Sequence, residues 1–209
     1  MENLKLLFQS ISIITVSEIG DKTFIIIILL SIQHNPILIF SASFLALFLM
    51  SLLSSFLSNI FQFIIDINYI HLIATILFFI FSIQLFYEYY KFQDNEHQLE
   101  ISKIKMEVKQ NNELACNNNN DSQFCNSLSI FLNTFLLIFI AEWGDRSQFT
   151  TITLAAVGNF YWVTFGVVLG HFITTLLAII GGNYLATKIS VKKITFLSGL
   201  LFLIFSVVY

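Results

Sequence analysis

Charged residues are scarce in this chain of 209 residues. They make up 11% of it, whereas apolar residues make up 56% and the mean hydropathy is +0.81. Soluble domains carry about 25% charged residues, so the composition excludes an ordinary water-soluble fold. The net charge of −3 says little about partners. We expect the lipid bilayer to be a partner, and we expect no nucleic-acid partner.

Cysteine is scarce as well, since the chain has only Cys116 and Cys125, nine residues apart. They have no companion pair and no nearby histidine, so a metal or redox site is not expected there. A cleavable signal is also not expected, because the first apolar run is too long for a signal h-region and lacks a clear small-residue cleavage site. We therefore interpret that run as a retained helix.

Long polar segments are missing except at 91–127. Crossing about 30 Å of hydrocarbon takes roughly 20 mostly apolar residues, and the chain contains six runs of this kind. They lie near residues 4–31, 37–58, 70–90, 128–155, 160–182 and 194–209. The pattern predicts a single all-α integral membrane domain with six transmembrane helices.

The 91–127 stretch is rich in asparagine and carries six acidic residues against four lysines. Such a composition cannot bury enough apolar surface to order itself, so we interpret the stretch as a polar linker loop. Most lysines outside the spans lie on the same side of the membrane as this loop. By the positive-inside bias, the loop is predicted to be cytosolic and the termini to face the lumen or the exterior.

One charged motif occurs twice. VSEIGDKTF at 16–24 aligns with IAEWGDRSQ at 140–148, at an offset of 124. At the same offset LFFIFS at 77–82 falls on LFLIFS at 201–206, with five of six residues identical. A motif and a distant segment in one register indicate an internal duplication.

The duplication divides the chain into a first repeat, 1–90, and a second repeat, 128–209, joined by the linker. Each repeat contains three spans, so the second repeat enters the membrane from the opposite side. The prediction is a pair of inverted three-helix repeats. Many secondary transporters have this architecture, with binding sites near the bilayer midplane at the repeat interface.

Each motif contains a glutamate and an aspartate three residues apart, which on a continuous helix lie on one face. Two copies bring four carboxylates to one site, and the neighbouring hydroxyls add neutral oxygens; such ligands suit Ca²⁺, Mn²⁺ or Mg²⁺. The predicted metal ligands are Glu18, Asp21, Thr23, Glu142, Asp145 and Ser147. Gly20 and Gly144 would let the helix open locally. Crowded carboxylates away from water also take up protons, so protons and metal compete, which is the physical basis of cation/proton antiport.

A structural alternative is an intrahelical salt bridge in each copy, because the glutamate and the following base are four residues apart. It does not account for the additional aspartate in each motif. We therefore assign Lys22 and Arg146 to charge balance in the emptied site. Two accessory candidates are Gln148, which offers an amide oxygen, and His171, which is either a proton relay or a hydrogen-bonded packing residue.

The doubled pattern Glu-x-Gly-Asp-Lys/Arg-Thr/Ser in a six-span chain resembles that of the Golgi-type calcium/manganese:proton exchangers. The likeness covers nearly the whole chain, including GVVLGHFITTLLAIIGG at 166–182; the chain differs at Ser41, where the family commonly has glycine. The resemblance implies exchange of Ca²⁺ or Mn²⁺ for protons in the Golgi or another endomembrane, as part of ion homeostasis. It also implies that the four motif acids are the cation ligands, that no cofactor is needed and that the protein is not an enzyme.

Two other classes of protein use similar residues. A passive divalent-cation channel would have the same ligands without obligatory proton coupling. An intramembrane aspartyl protease would use Asp21 and Asp145 to activate a water. Its motif typically reads Gly-x-Gly-Asp, however, and a base directly after each aspartate disfavours a shared-proton dyad.

Overall fold

The computed structural model describes residues 2–91, 106, 123–188 and 191–208, and the elements in these ranges are all helices. They are α1 Glu2–Glu18, α2 Lys22–Gln33, α3 Pro36–Ile64, α4 Ile67–Lys91, α5 Gln123–Ala141, α6 Arg146–Val157, α7 Phe160–Lys188 and α8 Val191–Val208. The predicted all-α class is confirmed. Most of the predicted linker, including Cys116, lies outside the described residues.

The two halves of the chain repeat one series of elements. In each half a helix ends at the charged motif, a helix of 12 residues follows, and then comes a helix of 29 residues. Both long helices begin directly after an asparagine whose side chain accepts a backbone hydrogen bond, Asn35 from Ile37 and Asn159 from Tyr161. An asparagine in this position stabilises a helix start.

The structure corrects the prediction that the first apolar run is one uninterrupted helix. It consists of α1 and α2, separated at residues 19–21, and the fourth run is divided in the same way into α5 and α6. The cause lies in the glycines: φ is 89° at Gly20 and 83° at Gly144. This left-handed conformation, which glycine adopts readily, cannot continue a right-handed helix.

Three described helices are each long and apolar enough to cross a bilayer, Pro36–Ile64, Asn68–Lys91 and Phe160–Gly181. The pair Ser127–Ala141 and Arg146–Val157, bent by 68° at its break, makes a fourth if it counts as one span. The six predicted spans are therefore supported at three positions, or at four if the bent pair is one span. The spans of the first and last apolar runs stay predictions.

The two halves pack against each other reciprocally. Helices α1 and α2 both contact α7, α5 and α6 both contact α3, and the pairs α3 with α7 and α4 with α8 are also in contact. Buried apolar side chains fill these contacts in two clusters, one around Ile26 and Ile138 and the other around Ile14 and Phe78. Each broken helix is thus packed against the long helix of the opposite half, which buries Glu18 and Glu142 at the breaks while Trp143 and Gly144 stay exposed.

The contact between α1 and α7 requires glycine at position 166. A Cβ added to Gly166 would lie 2.8 Å from Ser10 Cβ and 2.9 Å from the backbone oxygen of Leu7. Because a backbone carbonyl cannot rotate away as a side chain does, the helices would have to separate.

We expect Gly166→Ala to lower the thermal unfolding midpoint of the purified protein, with a loss of about 1–3 kcal/mol from overpacking. The matched control is Gly199→Ala on α8. There the three nearest atoms are side-chain atoms of Leu85 and Phe86 at 3.3–3.4 Å, so the loss should be smaller. Midpoints measured by circular dichroism in detergent test this, and equal midpoints for the two variants would contradict it.

Candidate cation site

The helix breaks place the motif acids at helix ends rather than on helix faces. Glu18 is the last residue of α1 and Glu142 follows α5 directly, while Asp21 and Asp145 are the N-cap residues of α2 and α6. The Asp145 carboxylate accepts a hydrogen bond from the backbone N–H of Ser147 at 3.4 Å. A helix N-terminus also favours a negative charge.

The two glutamates are buried, with 3% of Glu18 and 1% of Glu142 exposed. The hydroxyl of Thr23 donates to Glu18 Oε2 at 3.4 Å, and the hydroxyl of Ser147 donates to Glu142 Oε2 at 2.9 Å. A carboxylate oxygen of Glu18, from the first half, also lies within 4.8 Å of one of Glu142, from the second half. Two carboxylates and two hydroxyls therefore form one cluster at the interface of the repeats.

One oxygen of each glutamate lacks a partner. Glu18 Oε1 and Glu142 Oε1 are buried and accept no hydrogen bond from a described residue. Buried polar atoms in proteins are nearly always bonded, and leaving one unpaired is costly. The cluster is thus short of positive charge or hydrogen-bond donors at these two oxygens.

Three carboxylates converge closely enough to share an ion. Glu18, Glu142 and Asp145 each present an oxygen, and the three oxygens lie within 4.8 Å of one another. Asp21 is outside this group. The helical-face argument for four acids on two continuous helices is therefore wrong, because the helices end at the glutamates and the 3.6-residue period does not continue to the aspartates.

Arg146 joins the two halves. Its guanidinium lies 3.5 Å from Asp21 Oδ1 in the first motif and 3.4 Å from Glu88 Oε2 near the end of α4. Neither motif has the geometry of an intrahelical i,i+4 pair, because the helix is interrupted between the glutamate and the base. Lys22, the equivalent of Arg146, is the first residue of α2.

Gln148 supports the second break. Its Oε1 accepts a hydrogen bond from the Gly144 N–H at 2.7 Å, and its Nε2 lies 3.9 Å from Met50 Sδ. The amide oxygen predicted as an accessory ligand is therefore engaged with the backbone. At the equivalent position the first motif has Phe24, a buried apolar side chain of the core.

His171 adjoins the cluster from α7. It is 3% exposed, and its Nδ1 lies 3.8 Å from Glu18 Oε1. The structure thus places this sequence candidate beside a motif acid.

Glu88 was missed by the sequence reasoning. It lies outside both motifs, near the end of a predicted span, where acidic residues are common. Its contact with Arg146 joins residues 58 positions apart, and no local spacing signals such a contact. The only available signal was its position among apolar residues of the third run.

The site can hold a hard cation by its chemistry. Its candidate ligands are carboxylate and hydroxyl oxygens, which divalent ions such as Ca²⁺, Mg²⁺ and Mn²⁺ prefer. The same oxygens can bind protons when no cation is present, which lowers the cost of burying like charges. Cation and proton occupancy are therefore mutually exclusive at shared oxygens.

Comparisons with known proteins agree with this chemistry. The family model described as divalent cation/proton antiporter GDT1 matches residues 6–93 and 130–209. The chain is 39% identical to a GDT1-like protein 3 of Oryza sativa subsp. indica, covering 96% of this chain and 72% of that one. It is 32% identical to the divalent cation/proton antiporter GDT1 of Saccharomyces cerevisiae, covering 99% and 84%, and 34% identical to a GDT1-like protein of Synechocystis, covering 94% and 92%. No solved structure matches the chain.

The left-handed break at Gly144 leads to a stability prediction. An added Cβ would meet nothing within 4 Å, so Gly144→Ala tests backbone conformation alone. We expect a loss of about 1–2 kcal/mol of unfolding free energy. Gly144→Asn should lose less, since asparagine tolerates this conformation better. Denaturant titration of the purified variants measures both, and alanine without any loss would contradict the requirement for glycine.

Proposed function

This chain belongs to the GDT1 family of divalent cation/proton antiporters, and we propose that it exchanges Ca²⁺ or Mn²⁺ for protons through the buried motif acids. It is a membrane transporter of divalent cations and protons, not an enzyme. The observation that carries the proposal is the convergence of Glu18, Glu142 and Asp145 on one point. Two of these carboxylates have an oxygen that accepts no hydrogen bond from the described residues.

The proposed ligand set contains three acids from the convergent group together with the hydroxyls of Thr23 and Ser147. Asp21 is the fourth proposed acid, and it reaches the site only when Arg146 releases it. In the empty, protonated site Arg146 balances charge by binding Asp21 and Glu88. We assign the same balancing role to Lys22 in the first motif.

We also propose that the chain has six spans in two inverted three-helix repeats, 1–90 and 128–209, with the 91–127 linker in the cytosol. In this arrangement α1 with α2 and α5 with α6 each make one broken span. The reciprocal contacts of the broken helices with α3 and α7 support the repeat. Broken spans at a repeat interface are how many secondary transporters build a midplane site.

Exchange follows if the two halves rock about this interface and open the site to one side at a time. Protons and the cation occupy the same carboxylate oxygens, so loading one displaces the other. Golgi or another endomembrane is the proposed location, with both termini in the lumen. Cation entry into the lumen would then be driven by proton exit.

The transport prediction uses purified protein in liposomes with and without a pH gradient. Mn²⁺ and Ca²⁺ uptake should depend on the gradient, and Glu142→Gln should reduce it at least about tenfold, because a ligand charge is lost at nearly constant shape. Asp145→Asn should behave in the same way. Asp66→Asn is the matched control, since Asp66 is an exposed acid outside the site.

Each alternative outcome has a distinct meaning. Uptake that ignores the pH gradient would indicate a passive channel with the same ligands. Normal exchange by Glu142→Gln would remove that acid from the pathway. Absence of uptake by folded wild-type protein would overturn the proposed function.

Proton competition gives a second prediction, for binding alone. Mn²⁺ affinity of the purified protein should fall as the pH is lowered, because protons then occupy the oxygens that the metal needs, and Mn²⁺ binding should release protons. Calorimetry in buffers of different ionisation enthalpy counts the released protons. Glu142→Gln should release fewer than wild type, and Asp66→Asn the same number. An affinity independent of pH, with no proton release, would argue against shared oxygens.

A further inference from the structure

Two buried polar atoms face each other beside the carboxylate group without a bond between them. His171 Nδ1 and Glu18 Oε1 are 3.8 Å apart, which is too long for a hydrogen bond. Both atoms are buried and have no hydrogen-bond partner in the part of the chain that the structure describes. Because each unpaired buried atom costs free energy, the pair is suited to a third atom that binds both.

The distance fits a shared metal ion. Protein ligands lie about 2.0–2.6 Å from the divalent ions that they bind. Two ligands of one ion at about 2.2 Å are separated by about 3.1 Å at a right angle and about 4.4 Å when opposite. The observed separation falls between these limits.

The two halves differ at the position of this imidazole. Helices α3 and α7 begin at Pro36 and Phe160, which have the same offset of 124 as the motifs. The residue that corresponds to His171 at this offset is Leu47, whose side chain is 1% exposed. Glu18 therefore has an imidazole beside it, whereas the corresponding position in the other half carries an apolar side chain.

Imidazole changes which ions a site prefers. Ca²⁺ and Mg²⁺ take oxygen ligands, whereas first-row transition ions accept imidazole nitrogen as well, Mn²⁺ the most weakly of the series. We propose that His171 Nδ1 is a ligand to the transported ion and makes the site favour a first-row transition ion, such as Mn²⁺, over Ca²⁺. This inference rests on the proposed function, since it assumes that the cation binds at Glu18.

The test observes the nitrogen directly. Mn²⁺ is bound to the purified full-length protein in a nitrogen-free buffer, and electron spin-echo envelope modulation records ¹⁴N nuclei coupled to the manganese. We expect ¹⁴N modulation of directly bound imidazole in the wild type and its loss in His171→Asn, whose Oδ1 replaces Nδ1 by an oxygen. Bound Mn²⁺ without imidazole ¹⁴N modulation in the wild type would overturn the inference even if no variant folds.

Selectivity supplies the second readout. The ratio of Ca²⁺ to Mn²⁺ dissociation constants, from competition titrations, should fall about tenfold or more in His171→Asn, because oxygen suits Ca²⁺. A packing role would weaken both ions equally and leave the ratio unchanged, which would contradict the proposal. If Mn²⁺ binds and is transported but His171→Asn leaves the ratio of dissociation constants unchanged, the proposed role of His171 is wrong and the proposed function stands. If wild-type protein binds neither ion, the proposed function fails with it.

Discussion

The burial of Glu18 and Glu142 side by side is the constraint on which the rest of this structure depends. Two carboxylates in an interior that water does not reach repel each other and lose their hydration, which costs several kcal/mol per charge unless it is compensated. Each receives a hydroxyl hydrogen bond from its own motif. In the proposed mechanism, a cation or protons at the two unbonded oxygens compensate the remaining cost.

The helix breaks are the means by which the chain tolerates this burial. Ending a helix at the glutamate and starting another at the aspartate brings free backbone N–H groups to the carboxylates. Glycine in the left-handed conformation lets the chain turn between the two helices of each break. Since each broken helix packs on the long helix of the other half, any relative movement of the halves changes the distances among the motif acids.

The sequence was sufficient to find the acids but not their geometry. Charges inside apolar runs are conspicuous, and the repeat at a fixed offset identified Glu18 with Glu142 as equivalent residues. The argument from helical periodicity, however, assumes a continuous helix, and it therefore treated Asp21 and Asp145 as equivalent ligands. In the structure, of these two only Asp145 lies in the group of three convergent carboxylates. The contact of Arg146 with Glu88 depends on how α4 packs against the second motif, which no local pattern specifies.

Gln148 gives the two breaks different mechanical properties. In the second motif its side chain accepts a hydrogen bond from the Gly144 N–H across the turn. Phe24, at the equivalent position of the first motif, has no side-chain atom that can accept a hydrogen bond. The second turn therefore has a side-chain hydrogen bond that Phe24 cannot supply to the first. In the proposed rocking of the halves, this difference would make the turn at residues 19–21 the easier of the two to bend, and the duplicated motifs would then contribute unequally to the cycle.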